Sequence, residues 1–296
     1  MEKHMKKIAT ILILSAVVLF AQVRIIDTQV LEIENNAIQP VFSADGNYIL
    51  YGSNDGLYSY QLKEKKATRF AESGYDPVMD TEGMIRYRFD NYNKGYRLTS
   101  FLVYDSKTKK TEFVLNNLRL ESSPKITNHG VFYIEKDAIK NNFAKATQTS
   151  KPVAFTLNNK VVLYSYGTSK ILTPAGDHPH LWPSVSPSQD KLCVVGGNDL
   201  YICDLNGNIL SEIKNARAPQ WSPDGKWIAF MRDEDDGNTF TASDIYLVNA
   251  DGSNLIRLTD SMDRIEMYPQ WSPNGKQIIC DNPVDGKPIL ITFEIK

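Results

Sequence analysis

Two histidines one residue apart, His178 and His180 in "AGDHPHLWPS", are the sharpest polar feature of the chain. On an extended segment such a pair points to one side, and two imidazoles so placed suit a divalent metal. A competent site needs more ligands. Beyond the N-terminal leader the sequence holds one other histidine, His129, at a turn position. The acidic run "DEDDGN" (233–238) lacks the alternating ligands and sixth-place glycine of a calcium loop, so it reads as solvated loop charge. There is no G-x-S-x-G elbow, and no histidine with a nearby acid is placed to activate a serine. No catalytic residue, resident metal or cofactor is expected.

The elements that would position any site come from a repeat. "PQWSPDGKWIAF" (219–230) returns as "PQWSPNGKQIIC" (269–280). In "SPDG", Pro223 sets the first corner of a tight turn and Gly225 takes the left-handed conformation that closes it. The alternating run after it reads as a half-buried strand. The same phase recurs as "PVFSADG" from Pro40, "PVMDTEG" from Pro77 and "PKITNHG" from Pro124. "PSVSPSQDK" from Pro183 fits more loosely, with one extra residue and no glycine. Spacings of 36 to 59 residues are what loop insertions produce when strands are kept. Further strands follow each copy, as in "DIYLVNADGSNLIRLT" after the fifth. Each unit is therefore a four-stranded meander. The exception is "DAIKNNFAKAT" (137–147), which reads as a helical turn or a long insertion.

Six such meanders bury their faces only when set around an axis, which predicts an all-β, six-bladed β-propeller. The sixth unit ends without room for a fourth strand, while "TQVLEIEN" (28–35) is spare before Pro40. This segment is expected to close the ring, with 30–33 pairing against 288–295, so that no open edge is left. The residue before each phase-marking proline begins an innermost strand. Gln39, Asp76, Ser123, Trp182, Ala218 and Tyr268 are thus expected to ring the channel mouth, with His178 and His180 beside them. Trp221, Trp271 and Phe42 hold equivalent places and are expected to pack between blades.

The stretch "APQWSPDGKWIAFMR…SDIYLVNADGSNLIRLT" resembles the PD40, or TolB-like (WD40-like), β-propeller repeat. The fifth unit matches best, the sixth is strong through Ile279, and the others match by phase and turn, so the resemblance runs from about Gln29 to Lys296. Such repeats are specific for fold and serve unrelated functions. Full TolB proteins carry an α/β domain ahead of the propeller; here the propeller begins by about residue 29, and whatever that domain does is not carried over. Some propeller polysaccharide lyases built on similar repeats bind a divalent metal through channel histidines. That resemblance implies a carbohydrate-active or small-ligand site at His178 and His180 as the alternative reading.

The opening "MEKHMKKIATILILSAVVLFAQ" has a basic start and a short apolar stretch, which predicts a signal peptide over 1–21 and a mature domain over 22–296. No Cys follows the apolar run, as a lipoprotein anchor would require, and no other stretch could span a bilayer. The net charge of −2 becomes −4 without the leader's three Lys and one Glu. No basic stripe points to nucleic acid. Of Cys193, Cys203 and Cys280, the first two lie on successive strands. An oxidising compartment would permit a disulfide there, although buried apolar positions are the simpler reading. The leading expectation is an exported, monomeric, non-enzymatic periplasmic or cell-envelope module that binds a protein partner on its rigid rim of loops.

Overall fold

The computed structural model describes residues 23–127, 130–135, 138–143, 151–165 and 167–295. The segment expected to be a signal peptide, residues 1–21, and His129 lie outside them. The described residues form seven antiparallel sheets and no helix. A strand β1 (Val23–Val30) comes first. Blade 1 is β2 (Ile38–Phe42), β3 (Tyr48–Ser53), β4 (Gly56–Gln61) and β5 (Lys66–Ala71). Blade 2 is β6 (Tyr75–Met79), β7 (Met84–Asn93), β8 (Tyr96–Asp105) and β9 (Lys110–Leu118). Blade 3 is β10 (Lys125–Thr127), β11 (Gly130–Glu135) and β12 (Ala138–Phe143), and blade 4 is β13 (Val153–Leu157), β14 (Lys160–Ser165) and β15 (Thr168–Leu172). Blade 5 is β16 (His180–Val185), β17 (Lys191–Gly196), β18 (Asp199–Asp204) and β19 (Ile209–Ile213). Blade 6 is β20 (Arg217–Trp221), β21 (Trp227–Asp235), β22 (Phe240–Asn249) and β23 (Ile256–Arg257). Blade 7 is β24 (Met267–Trp271), β25 (Gln277–Asp281) and β26 (Ile289–Ile295), completed by β1.

The propeller has seven blades, not the six expected from the repeat. The proline phase marks innermost strands, and blade 4 has none among the described residues. Its first strand, β13, packs on β16 of blade 5, as β21 packs on β24 and β3 on β6. In those pairs the second strand of one blade meets the innermost strand of the next. The turn after β13 also behaves as a second-to-third-strand turn, because Asn159 O accepts the backbone N–H of His180, as Asn198 O accepts that of Ala216. No innermost strand precedes β13 among the described residues, and the sequence offers no Pro phase there. Within the stretch "DAIKNNFAKAT", "AIKNNF" (138–143) proves to be strand rather than helix, forming β12 against β11, and the rest of it lies outside the described residues.

Ring closure takes the expected form, with an earlier segment. β1 pairs with β26 from Val23↔Ile295 to Val30↔Ile289, and the Leu31 N–H donates to Pro288 O at 2.9 Å. Leu31 and Ala37 are buried beyond the strand, against Ile49, Tyr51 and Leu290. The first-to-second-strand turns line the face opposite the strand starts. In blade 6 the Ser222 hydroxyl donates to Asp224 Oδ1 at 2.6 Å and accepts the Trp227 N–H at 2.9 Å. Ser43 and Ser272 repeat that arrangement, and Ser186 accepts the Lys191 N–H likewise but donates to Asp190 Oδ1, four residues on, at 3.0 Å. The Pro183 copy has no extra residue after all: Gln189 takes the glycine's place at φ 62°.

Between blades the repeated tryptophans act as expected. Trp221 Nε1 donates to Ser184 O at 3.1 Å, and Trp271 Nε1 donates to Gln220 O at 3.0 Å. Each indole thus reaches back to the innermost strand of the preceding blade. Cys193 and Cys203 are both free and buried. They pair with Ile202 and Leu192 respectively, one register step apart, so they point to opposite faces of the blade 5 sheet and cannot bridge.

Candidate functional site at the mouth of the ring

Five of the six residues chosen for the mouth share an unusual backbone. Gln39, Asp76, Trp182, Ala218 and Tyr268 have φ between 49° and 53°. Each sits at a register shift, as between Ile38 and Val41 in blade 1. A left-handed non-glycine residue costs roughly 1–2 kcal/mol. Its recurrence makes it a built β-bulge, which frees the backbone N–H from the ladder and re-aims it. The proline that follows has no N–H to lose there. Ser123, the sixth, is exposed and has no such conformation.

The freed N–H groups point to the preceding blade. That of Gln39 donates to Asp281 Oδ2 at 3.1 Å, and that of Tyr268 meets Met231 Sδ at 3.4 Å. Asp281 and Met231 hold one position, the residue of the second strand paired opposite the start of the bulge. Asp281 Oδ1 is buried with no partner. Burial pushes its carboxyl up to about 7, against the pull of the Gln39 N–H. The Tyr268 hydroxyl is raised by burial and then by the charges of Asp281 and Asp233. Asp233 is itself paired with Arg217 at 3.1 Å, and Arg217 reaches Asn198 Oδ1 at 2.8 Å. A polar arc thus runs from blade 1 back through blades 7 and 6 to blade 5.

Blade 2 continues it. Arg88 bonds Asp76 at 2.6 Å and Asp90 at 2.7 Å, under the Tyr75 ring at 4.9 Å. Burial would lower the Arg88 pKa, but the two carboxylates override it and raise it. In blade 3 Lys125 adds an exposed cation to the arc. Asp281, Asp233, Arg88, Arg217 and Lys125 were missed in the sequence. For Asp281 a signal lay in the repeat: it is the charged residue that ends the largely apolar strand "QIICD".

The two histidines do not form a pair. His180 is fully buried; its Nδ1 lies 2.7 Å from Asn159 O, and its Nε2 accepts the Ala175 N–H at 3.2 Å. Both ring nitrogens are spent on holding blade 4 to blade 5. His178 lies in a bend before the strand, exposed beside Gly197, so the alternation that would align the rings does not apply. Among the described residues no group of three or more His, Cys, Asp or Glu could hold a metal ion.

The large exposed apolar side chains fall in two places. One set lies on or beside the outermost strands, as Phe113 and Ile209 do. The other crowds the mouth face. Ile38, Tyr75, Leu181 and Trp182 stand at the strand starts, Tyr92, Tyr96, Phe240 and Val284 on the second-to-third-strand hairpins, and Met262 on the crossover into blade 7. The face bearing the Ser-Pro turns carries Leu255, in the third-to-fourth-strand turn of blade 6.

No protein-family model matches the chain. A stretch of 121 residues is 26% identical to an uncharacterized protein of Agrobacterium fabrum, covering 38% of this chain and 39% of that protein. A stretch of 69 residues is 36% identical to the Tol-Pal system protein TolB of a Wolbachia strain from Drosophila simulans, covering 23% of this chain and 16% of TolB. Each match spans less than two thirds of the curated relative. Among solved structures, a chain of the mitotic checkpoint complex superposes with a TM-score of 0.58 at 11% identity, covering 99% of this chain and 98% of its own. That likeness speaks to fold alone. The chain is a seven-bladed β-propeller with a short TolB-like stretch.

Proposed function

We propose that this propeller is an exported, non-enzymatic module of the cell envelope that takes a protein partner on its mouth face. The observation that carries the reading is the gathering of exposed aromatic side chains on the mouth face, which holds five of the six large exposed aromatics among the described residues. Tyr75, Tyr92, Tyr96, Trp182 and Phe240 surround the charged arc of Asp76, Arg88, Arg217 and Asp233. Apolar anchors around fixed polar groups are the composition of recognition surfaces. The ladder-bound scaffold fixes their backbone, so binding need order only the side chains. The TolB-like stretch and the apolar leader support export to the envelope. Among the described residues no helix is long and apolar enough to cross a membrane. A metal-dependent site at His178 and His180 draws no support from the geometry, because His180 has no free nitrogen.

The test is photo-crosslinking in cells, with a photoreactive residue placed at Trp182, at Tyr92 or, as control, at Ile209 on the outer strand of blade 5. The reading expects one adduct of the same mass from the first two positions and none from the third. No adduct from the mouth face, or equal adducts from all three positions, would overturn it.

A further inference from the structure

The position that carries Trp221 in blade 6 and Trp271 in blade 7 is Ile126 in blade 3. The register fixes the equivalence: Ile126 pairs with Val131 as Trp221 pairs with Ile228 and Trp271 with Ile278. In blades 6 and 7 an indole fills the seam with the preceding blade. In blade 3 a much smaller side chain faces the same seam. A cavity of about 100 Å³ lies there, between blades 2 and 3. Its walls include Tyr87, Phe101, Leu102 and Val114 of blade 2 and Ile126 and Val131 of blade 3. Tyr87, Phe101, Leu102 and Val131 are buried, while Val114 is 39% exposed, so the cavity reaches the flank of the propeller beside β9.

The lining decides what it can hold. A stable water needs two to four polar partners, and these walls are overwhelmingly apolar. An empty apolar void in a packed interface is destabilising in proportion to its volume. Compact apolar molecules enter such cavities, and an engineered void of about 150 Å³ takes up benzene. We propose that the seam between blades 2 and 3 is a binding site for a small aromatic molecule of about one ring, seated where the seams of blades 5 and 6 and of blades 6 and 7 carry an indole side chain. The site stands on the flank, separate from the mouth face, and does not depend on a protein partner there.

The experiment uses the full mature chain with benzene and indole as probes, read by chemical-shift changes of the methyl groups of Ile126, Leu102 and Val131. Saturable shifts at these methyls are expected at millimolar probe or below, with glycerol causing none. Ile126→Phe should weaken probe binding at least tenfold and raise the melting temperature by roughly 2–8 °C, because the side chain fills the void. Should that variant not fold, Val114→Phe closes the same cavity from the flank and should also weaken binding at least tenfold. No saturable shift in the wild-type protein overturns the proposal. So does a folded Ile126→Phe or Val114→Phe protein that binds the probes as tightly as the wild type.

Discussion

Asp281, at the end of the second strand of the last blade, accepts the backbone N–H of Gln39, at the first bulge of the first blade, across 3.1 Å. Its other oxygen is buried and unpartnered. One carboxyl thus joins the two ends of the ring while itself poorly solvated.

The folded carboxyl titrates near 7, above its ordinary 3.8. The unfolded chain loses this proton near pH 4 and the folded chain keeps it until about pH 7. Between those values the native state binds more protons, so the stability this group contributes falls as pH rises. Asp281→Asn keeps an acceptor for Gln39 and removes the titration. The variant should lose this slope and exceed the wild type at pH 8 by up to about 4 kcal/mol. Urea melts of both proteins from pH 4 to pH 8 check this; parallel curves would refute it.

Removing residues 1–37 takes away β1 and its ladder to β26, together with the burial of Leu31 and Ala37. Each ladder bond contributes roughly 0.5–1.5 kcal/mol net, and together they rival the ~5–15 kcal/mol stability of a typical domain. The truncated protein should aggregate or melt far below the full chain. A melting temperature unchanged in scanning calorimetry would show that the ring holds without this strand.

Trp271 packs edge-on against Phe293 and donates to Gln220 O in the preceding blade. Trp271→Ala should cost about 3–5 kcal/mol through the void it leaves. Trp271→Phe keeps most of the packing and gives up the hydrogen bond, a loss of about 1 kcal/mol. Chemical denaturation of the pair separates the two contributions, and equal losses would mean that the indole N–H carries the interface.

All three thiols are buried and free. Burial pushes Cys193 and Cys203 up to about 12 and Cys280 well above its ordinary value. Since the thiolate is the reactive form, native protein should resist alkylation, and unfolded protein should take up three labels per chain without prior reduction. Mass spectrometry reads both. A fast-reacting native thiol, or fewer than three labels after unfolding, would contradict this burial.

The fold class was legible because Pro, Ser and Gly in the repeat each have a local physical job. The blade count was not, since the prolines mark innermost strands and Val153–Leu172 forms a blade that has none among the described residues. The mouth residues could be placed from the same prolines, but their left-handed backbone could not be foreseen, because a residue before proline ordinarily prefers extended conformations. Asp281 escaped notice because its meaning depends on a partner, Gln39, at the other end of the chain. His180 misled for the opposite reason: a polar residue in a suggestive spacing turned out to be fully used within the scaffold.

The pairing of β1 with β26 also sets a timetable. Ribosomes deliver β1 before its partner β26, with the first six blades made in between. Until Ile289–Ile295 emerges, blade 7 has no third strand, and the row of N–H and C=O groups on β1 has nothing to pair with. Every earlier blade assembles from neighbours in the chain, whereas this one joins residues separated by nearly its whole length, the slowest kind of contact to find. A chain crossing a membrane unfolded and starting to fold on the far side would meet the same delay. For that interval the nascent ring is an arc with two sticky ends, and its survival depends on how quickly the last strand arrives or on what shields the first.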